Sequence, residues 1–484
     1  MHSGIGIARR RFGPAVATPT RRRESPSPLA WYVAAGLLAV TTAVAAILVP
    51  DGLKIAIAVP ICLLATIAAI RLPAAVSLVI LALTGIAGTI VAFTDVSPRY
   101  LIDLPLAGVV GATLWLRWHD RGHALAGPLP LGLILVLAYL AVSIGQALLS
   151  PGLYTAESAF RSSAWQMAVI PAIALAGWPL ATRLRIVQGY LLLVCIVAGY
   201  ALVRLAIGPA GAEREVALAM APENVLPSGE VGLYGSMISR HQLAAWCGMA
   251  LPFATAVAIV WGGGRRSLPL AAVALSAVAL IATQTRGGFA GAVVGITVVL
   301  ALYAAGRAFR GPRLRKALLP LATMLGALAI GFAATSLASD PDSATEVATE
   351  RYTALALPLE DTAFADRLEN WGNIVAEMAG EPLGHGFGTA DFAVDSSYLR
   401  VGYEQGPLMM ILFGAAVVAL GLALAAAALR TPDRAAAGIL IACCGAYVAF
   451  AVDQAVSDTV EPALVAWMMA GLGLAGVASR AISD

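Results

Sequence analysis

Charged residues are scarce in this chain. Asp, Glu, Lys and Arg make up 12% of its 484 residues, whereas apolar residues make up 60%. A soluble globular protein carries about 25% charged and about 45–50% apolar residues, so the composition excludes that class. The mean hydropathy of +0.83 indicates a protein that lies in a lipid bilayer. The net charge of only +3 gives no indication of a nucleic-acid partner.

Cysteine is scarce as well. The five cysteines all fall in apolar stretches, and two of them are adjacent. This placement excludes a disulfide framework and a zinc site at ligand spacing. We therefore expect neither a metal nor a cofactor. The cysteines are interpreted as small side chains of the membrane core, at Cys62, Cys195, Cys247, Cys443 and Cys444.

Long apolar runs are abundant. A transmembrane helix needs about 20 apolar residues, and windows of that length predict about 12–14 transmembrane helices, the first at 30–50 and one at 164–182. Only helices satisfy their own backbone in lipid without closing a barrel, and unbroken apolar runs exclude barrel strands. The predicted fold class is therefore all-α, as a polytopic integral membrane protein.

The basic residues predict an orientation. With both termini in the cytoplasm, most Lys and Arg residues fall on the inner side and most Asp and Glu residues on the outer side. The chain then divides into a disordered basic cytoplasmic tail, N-terminal membrane helices with an outer loop at 208–240, a large outer loop and C-terminal membrane helices. These four parts are residues 1–29, 30–338, 339–405 and 406–484.

The large outer loop contains the pattern of an amphipathic helix. Asp366 can cap this helix, and Gly380 with Pro382 can end it. We expect the helix to lie on the membrane surface as a roof over the bundle. Its apolar stripe consists of Leu368, Trp371, Ile374, Val375 and Met378.

Two further polar clusters interrupt apolar stretches. Arg286 and two glycines lie between apolar helices, where an arginine costs a few kcal/mol unless it reaches an interface or meets an anion. The glycines permit a tight reversal that brings backbone N–H groups towards such an anion. The alternative is an interfacial arginine in a polar turn. The cluster Ser239–Gln242, at the mouth of the next span upstream, allows the same two interpretations.

Three blocks of residues together resemble the O-antigen ligase and polymerase superfamily, over roughly residues 225–430. The third block is the most specific. The blocks are Ser239–Ala244 with Leu251-Pro252, then Gln284–Gly288, then Arg367–Trp371 with Pro382–Gly388, Asp395–Leu399 and Glu404–Gly406.

The resemblance implies an integral-membrane glycosyltransferase of the C type in the bacterial cytoplasmic membrane. Its donor would be an undecaprenyl-diphosphate-linked oligosaccharide at the outer face of that membrane. Membrane lipids would surround the protein, and a chain-length regulator would be a further partner. The ligase branch has a His where Asp395 stands here, so the resemblance favours a polymerase that acts by inverting, metal-independent transfer. Many relatives have Asn where His241 stands. The open alternatives are a ligase and, less favoured, a transporter or flippase.

Such a transfer needs cations for a leaving diphosphate and a base for the acceptor hydroxyl. Arginine binds phosphate oxygens through its planar fork. The diphosphate candidates are Arg286, Arg367, Arg240 and Arg161. Asp395 is the first candidate for the base, with Glu404 and His385 behind it, provided that the roofing helix desolvates Asp395. The alternative for Asp395 is a helix cap.

The remaining candidates would bind sugar. They are His241, Tyr398, Trp371 and Arg400. Tyr398 and Trp371 would stack on sugar faces. The alternative interpretation is that they are ordinary aromatic residues at the membrane interface.

Overall fold

The structure is a computed structural model that describes residues 51–94, 97–119, 129–150, 153–221, 224–225, 231–261, 266–306, 314–338, 362–390 and 394–478. Over these residues the fold is α-helical, with one isolated β-bridge between Val225 and Val231. The predicted all-α fold class is confirmed. The basic tail 1–29, the predicted span 30–50 and residues 339–361 of the large loop lie outside the described residues.

The helices of the N-terminal half precede the first motif block. In order they are α1 (Asp51–Arg71), α2 (Pro73–Gly85), α3 (Ala87–Thr94), α4 (Pro98–His119), α5 (Leu131–Leu149), α6 (Leu153–Ser162), α7 (Ala164–Met167), α8 (Val169–Ala176), α9 (Leu180–Ile207) and α10 (Gly211–Met220).

The helices of the C-terminal half carry the three blocks. In order they are α11 (Arg240–Val260), α12 (Ser267–Ala282), α13 (Arg286–Ala305), α14 (Leu314–Ala338), α15 (Thr362–Gly380), α16 (Ser397–Gln405), α17 (Pro407–Arg430), α18 (Arg434–Asp453) and α19 (Val460–Ala478).

Seven helices in the described part of the chain are long and apolar enough to cross a membrane, namely α4, α5, α9, α11, α13, α17 and α18. The pair α2 and α3 is bent by 69° and makes an eighth if it is one span. Four shorter apolar helices lie within α1, α12, α14 and α19. The estimate of about 12–14 spans counted these short helices, the segment 30–50 and the segment 164–182 as full spans.

The segment 164–182 is broken rather than continuous. It forms the short helices α7 and α8, which meet at Ala168, and α8 is capped by Gly177, whose φ of 64° is left-handed. Pro171 explains the break, since its ring lacks the N–H that would bond the carbonyl of Met167 and clashes with that carbonyl in a continuous helix.

The core of the bundle surrounds α11. Trp246 and Phe253 of this helix are fully buried. Helix α13 approaches α11 so closely that a Cβ on Gly288 would lie 2.7 Å from the carbonyl oxygen of Ala244, and a Cβ on Gly248 2.7 Å from that of Gly288. Small residues permit such contacts between membrane helices. The packing fixes the start of α13, where Arg286 lies, against the start of α11.

Candidate active site

The amphipathic helix expected in the large loop is α15. It begins at Thr362, so Asp366 lies inside the helix and is not its cap, while the end at Gly380 agrees with the prediction. Ile374 and Met378 of the stripe are buried and pack against Tyr403 of α16.

Other residues of the stripe do not pack against α16. Leu368 and Val375 are exposed. The apolar contact with α16 is therefore made by the part of the helix nearest Gly380. This part of the helix positions the turn that follows it.

The glycine turn, residues 384–388, wraps around the end of α16. The backbone N–H groups of His385 and Gly386 donate to the carbonyl oxygens of Tyr403 and Glu404, each at 2.9 Å. Gly384 has a φ of 76°, and a Cβ there would lie 2.5 Å from the Glu404 carbonyl oxygen. The imidazole of His385 stacks on the ring of Tyr403, with centroids 4.2 Å apart. The turn thus requires glycine both for its backbone angle and for close approach.

Glu404, near the end of α16, is buried, with 2% of its side chain exposed. Its carboxylate accepts from Arg400 Nε at 3.3 Å, and the backbone N–H of Gly388 also hydrogen-bonds it. Burial raises the pKa of Glu404 above its ordinary value, and the charge of Arg400 offsets only part of that effect. Glu404 is therefore a stronger base than an exposed glutamate.

Arg400 connects Glu404 to a second carboxylate. Its guanidinium donates to Asp458, which follows α18, and Asp458 also accepts from the hydroxyl of Ser397 at 2.8 Å. Beside this network, the side chain of Gln405 donates to the hydroxyl of Tyr139 at 3.0 Å. Together these groups form the polar wall of a cavity lined by Tyr139, Ser162, Ser163, Ser397, Arg400, Glu404, Gln405, Gln454, Asp458, Thr459 and apolar residues that include Phe413 and Trp467.

The first and second blocks meet beside the segment 453–461, which joins α18 to α19. Gln242, in the first turn of α11, donates to Glu461 at 2.6 Å. A Cβ on Gly287, in the first turn of α13, would lie 2.7 Å from Asp453 Oδ1. Both blocks therefore contact this segment directly.

The third block reaches the same segment. The backbone N–H of Ser397 donates to the carbonyl oxygen of Gln454 at 3.1 Å, and the Ser397 side chain contacts both Gln454 and Asp458. Sequence reasoning did not single out residues 453–461. The available signal was a run of polar side chains, Asp453, Gln454, Ser457, Asp458, Thr459 and Glu461, between two apolar helices.

Arg367 and Asp395 form an ion pair. Arg367 Nε lies 2.9 Å from Asp395 Oδ2, and their side chains are 32% and 43% exposed. The desolvation that the base hypothesis for Asp395 requires is therefore not observed. The cap interpretation does not apply to it either, because Ser396 occupies the N-cap position of α16. The pair links α15 to the start of α16.

The other predicted diphosphate residues lie at three helix ends. Arg286 is the first residue of α13, and Arg240 is the first residue of α11, with its backbone N–H donating to Asn224 at 2.8 Å. Arg161 lies near the end of α6, beside the cavity residues Ser162 and Ser163, and is paired with Asp103 and with Glu157 at 3.1 Å. Two carboxylates thus already oppose the charge of Arg161.

The predicted sugar-binding residues occupy different surroundings. The hydroxyl of Tyr398 donates to the carbonyl oxygen of Ala451 at 3.2 Å, its ring packs edge-on against Phe413, and burial raises its pKa to about 12. Packing within the bundle therefore accounts for Tyr398. Trp371 is half-buried on α15, and His241 is half-buried at the start of α11.

Residues 271–414 match the O-antigen ligase family. The matched region contains the second and third blocks and is less than a third of the chain. The resemblance stated from the sequence is thereby confirmed. This O-antigen ligase match indicates a ligase or polymerase type of glycosyltransferase, in a multi-pass bacterial membrane protein that acts on lipid-linked oligosaccharide. No curated protein matches the chain.

Proposed function

We propose that the protein polymerises undecaprenyl-diphosphate-linked repeat units into a surface polysaccharide, at the outer face of the cytoplasmic membrane and with both termini in the cytoplasm. The observation that carries the proposal is the convergence of the three motif blocks on the segment 453–461, beside the cavity of Glu404. Such a cavity suits a transferase, because excluding water strengthens the electrostatic interactions of the site and prevents hydrolysis of the donor.

Glu404 is the proposed base. Its carboxylate takes the proton of an acceptor hydroxyl while that oxygen forms a bond to the anomeric carbon of the donor sugar. The bond from the anomeric carbon to the diphosphate breaks, and the diphosphate leaves with the electron pair, which inverts the anomeric centre. Burial supports this assignment, since a base is most effective when its pKa lies near the working pH. Arg400 orients the carboxylate through the 3.3 Å contact.

Arg286 is the first candidate for binding the leaving diphosphate. It begins the 20-residue helix α13, whose N-terminal N–H groups and dipole favour an anion. The carboxylate of Asp453 approaches the same helix start, since a Cβ on Gly287 would lie 2.7 Å from its Oδ1. Arg240, the first residue of α11, and Arg367, in the second turn of α15, are further candidates. Arg161 is the fourth candidate, and Asp103 and Glu157 oppose its charge.

Asp395 is the alternative base. Its position in the third block, where ligases have a His, favours it, and its exposure and its ion pair with Arg367 count against it. The same position bears on the choice between polymerase and ligase. Aspartate there favours a polymerase, whereas the name of the matched family favours a ligase.

Reconstitution of the full chain in vesicles with a defined undecaprenyl-diphosphate oligosaccharide tests the proposal. A polymerase yields a ladder of products from this substrate alone, whereas a ligase yields product only when a separate acceptor is added. Glu404→Gln should abolish the ladder, and the exposed Glu377→Gln of α15 is the matched control. Absence of a ladder from the unchanged protein overturns the polymerase, and a full ladder from Glu404→Gln removes Glu404 from the role of base.

A further inference from the structure

A second polar cluster lies on the segment that joins α9 to α11. Its centre is Glu213 of α10, which is 3% exposed. The Glu213 carboxylate contacts Arg204 Nη2 at 3.0 Å and accepts from the hydroxyls of Tyr200 at 2.6 Å and Thr89 at 3.0 Å. Arg204 also donates through Nε to Tyr200 at 2.8 Å. The network holds the guanidinium of Arg204 in a fixed position.

A cavity of about 140 Å³ lies beside this network. It is lined by Arg204, Leu205, Gly208, Pro209 and residues 231–235. A water molecule takes up about 30 Å³ in the liquid, so the cavity has room for a group of several non-hydrogen atoms. None of the residues in the cavity of Glu404 lines this one.

Tyr234 lines the cavity and carries an unused donor. The residue is 4% exposed, and its hydroxyl has no hydrogen-bond partner among the residues that the structure describes. Burial, with the nearby charge of Glu213, raises the pKa of Tyr234 to about 12, so the hydroxyl keeps its proton. A buried hydroxyl is usually satisfied, and one that is not indicates a ligand or an ordered water.

The donors around the cavity fit an anion. A guanidinium has five N–H groups, and the contacts of Arg204 to Tyr200 and Glu213 leave others to line the cavity. Among the residues that the structure describes, Glu213 is the carboxylate paired with Arg204, and Arg214 adds a second positive charge near Tyr234.

The surroundings of the cavity are apolar. Val203 and Ile207 lie one turn apart on the same face of α9 and are exposed, with 54% and 72% of their surfaces accessible. In a membrane helix such side chains face lipid tails. An anion that carries its own hydrocarbon chain therefore suits this site better than a soluble one.

The two cavities lie at the same end of the bundle. The segment from Arg204 to Arg240 joins α9 to α11, and the first turn of α11 bonds Glu461 through Gln242. Glu461 is the last residue of the segment 453–461, and Asp458 of this segment lines the cavity of Glu404.

We propose that the cavity of Arg204 and Tyr234 binds the phosphate headgroup of a second lipid, and that this lipid is the acceptor oligosaccharide on its own undecaprenyl diphosphate. The acceptor assignment rests on the proposed polymerase function, because a polymerase joins two lipid-linked substrates and must hold two diphosphates. The cavity provides the second position, and the helix starts near Glu404 provide the first.

The test measures binding without turnover. Purified full-length protein is titrated with undecaprenyl diphosphate, and native mass spectrometry counts the lipids bound. The unchanged protein should bind two. Tyr234→Phe should weaken one of the two by about tenfold, because a hydrogen bond to a charged group is lost. Since this hydroxyl has no partner in the described protein, its removal should not lower the unfolding temperature.

Tyr190→Phe is the matched control. The hydroxyl of Tyr190 is also buried without a hydrogen-bond partner among the described residues, but its ring packs against Trp246 and Phe253 and lines neither cavity. Both lipids should bind this variant as they bind the unchanged protein. Equal binding by Tyr234→Phe and Tyr190→Phe overturns the second site.

Two competitors identify the source of the phosphate. If phosphatidylglycerol displaces the weaker lipid at equal concentration, the site takes bulk anionic lipid and the acceptor assignment is wrong. If inorganic pyrophosphate displaces the weaker lipid, the site takes free phosphate and the acceptor assignment is again wrong. Failure of the polymerase proposal appears separately, as two bound lipids with no product ladder, and this result would keep the second headgroup site while removing its acceptor role.

Discussion

Asp458 and Arg400 form an ion pair across 58 positions of the chain. Arg400 lies between two parts of the third motif block and inside the region that matches the O-antigen ligase family, whereas Asp458 lies beyond that region. The pair connects the helix that carries Glu404 to the segment between α18 and α19. The proposed site therefore depends on residues that its most specific motif does not contain.

The first prediction concerns Asp458→Asn, which keeps a hydrogen-bonding group next to Ser397 but removes the charge. The negative charge of Asp458 contributes to the raised pKa of Glu404, so its loss should move the acid limb of the pH–rate profile to lower pH. Polymer formation should fall about tenfold, since Arg400 loses one of its two carboxylate partners. Asp458→Glu should restore both the position of the acid limb and the rate of polymer formation. An unchanged acid limb in Asp458→Asn would show that Asp458 does not act through Glu404.

The second prediction uses the burial of Glu404. A base must be deprotonated, so activity should be lost as the pH falls through the pKa of Glu404, at a higher pH than an ordinary glutamate would give. The stability of the fold should depend on pH in the opposite direction. Because folding raises this pKa, the contribution of Glu404 to stability is present below its unfolded pKa and is lost as the pH rises through the folded value.

Glu404→Gln should therefore lower activity and at the same time raise the unfolding temperature at neutral pH. Thermal unfolding of the purified protein, measured beside the product ladder, checks both. A variant that loses activity together with stability would indicate that Glu404 has only a structural role.

The sequence predicted the all-α class, the amphipathic helix and the Gly-rich turn because each depends on local pattern. Hydropathy could not predict that Pro171 breaks one span or that α2 and α3 bend by 69°. It also gave no partner for Arg400, because the contact with Asp458 depends on how α16 packs against the end of α18. Burial could not be predicted either, since Asp395 and Glu404 are both acidic residues of one motif and only the fold distinguishes their exposure.

The third prediction concerns the glycine turn. Gly384→Ala should disrupt it, because φ is 76° there and a Cβ would come within 2.5 Å of the Glu404 carbonyl oxygen. The cost of the backbone angle alone is about 1–2 kcal/mol. Polymer formation should be lost while the protein still inserts into the membrane. Gly372→Ala on α15 is the control, since it has no neighbour within 4 Å and should slightly stabilise that helix.

The fourth prediction separates the two roles of Arg367. Its ion pair with Asp395 is partly exposed, so Arg367→Ala should change stability by no more than about 1 kcal/mol. If Arg367 also binds diphosphate, the KM for the lipid-linked donor should rise well beyond that of Asp395→Asn, which breaks the same pair from the other side. Equal KM values for the two variants would show that the pair is the whole function of Arg367.

The last prediction concerns Gln284, which precedes Arg286 by two positions. It is the only residue other than glycine with a positive φ in the described chain, at 52°, and its side-chain oxygen is buried without a hydrogen-bond partner there. Backbone strain of this kind concentrates at functional sites and is tolerated because the surrounding structure fixes it. Gln284→Gly should relieve the strain and stabilise the fold by about 1 kcal/mol, whereas Gln284→Val should destabilise it, because a β-branched residue is poorly accommodated at positive φ. If the side chain serves the diphosphate beside Arg286, Gln284→Gly should lose activity while it gains stability, and full activity in the stabilised variant would show that Gln284 serves only the turn.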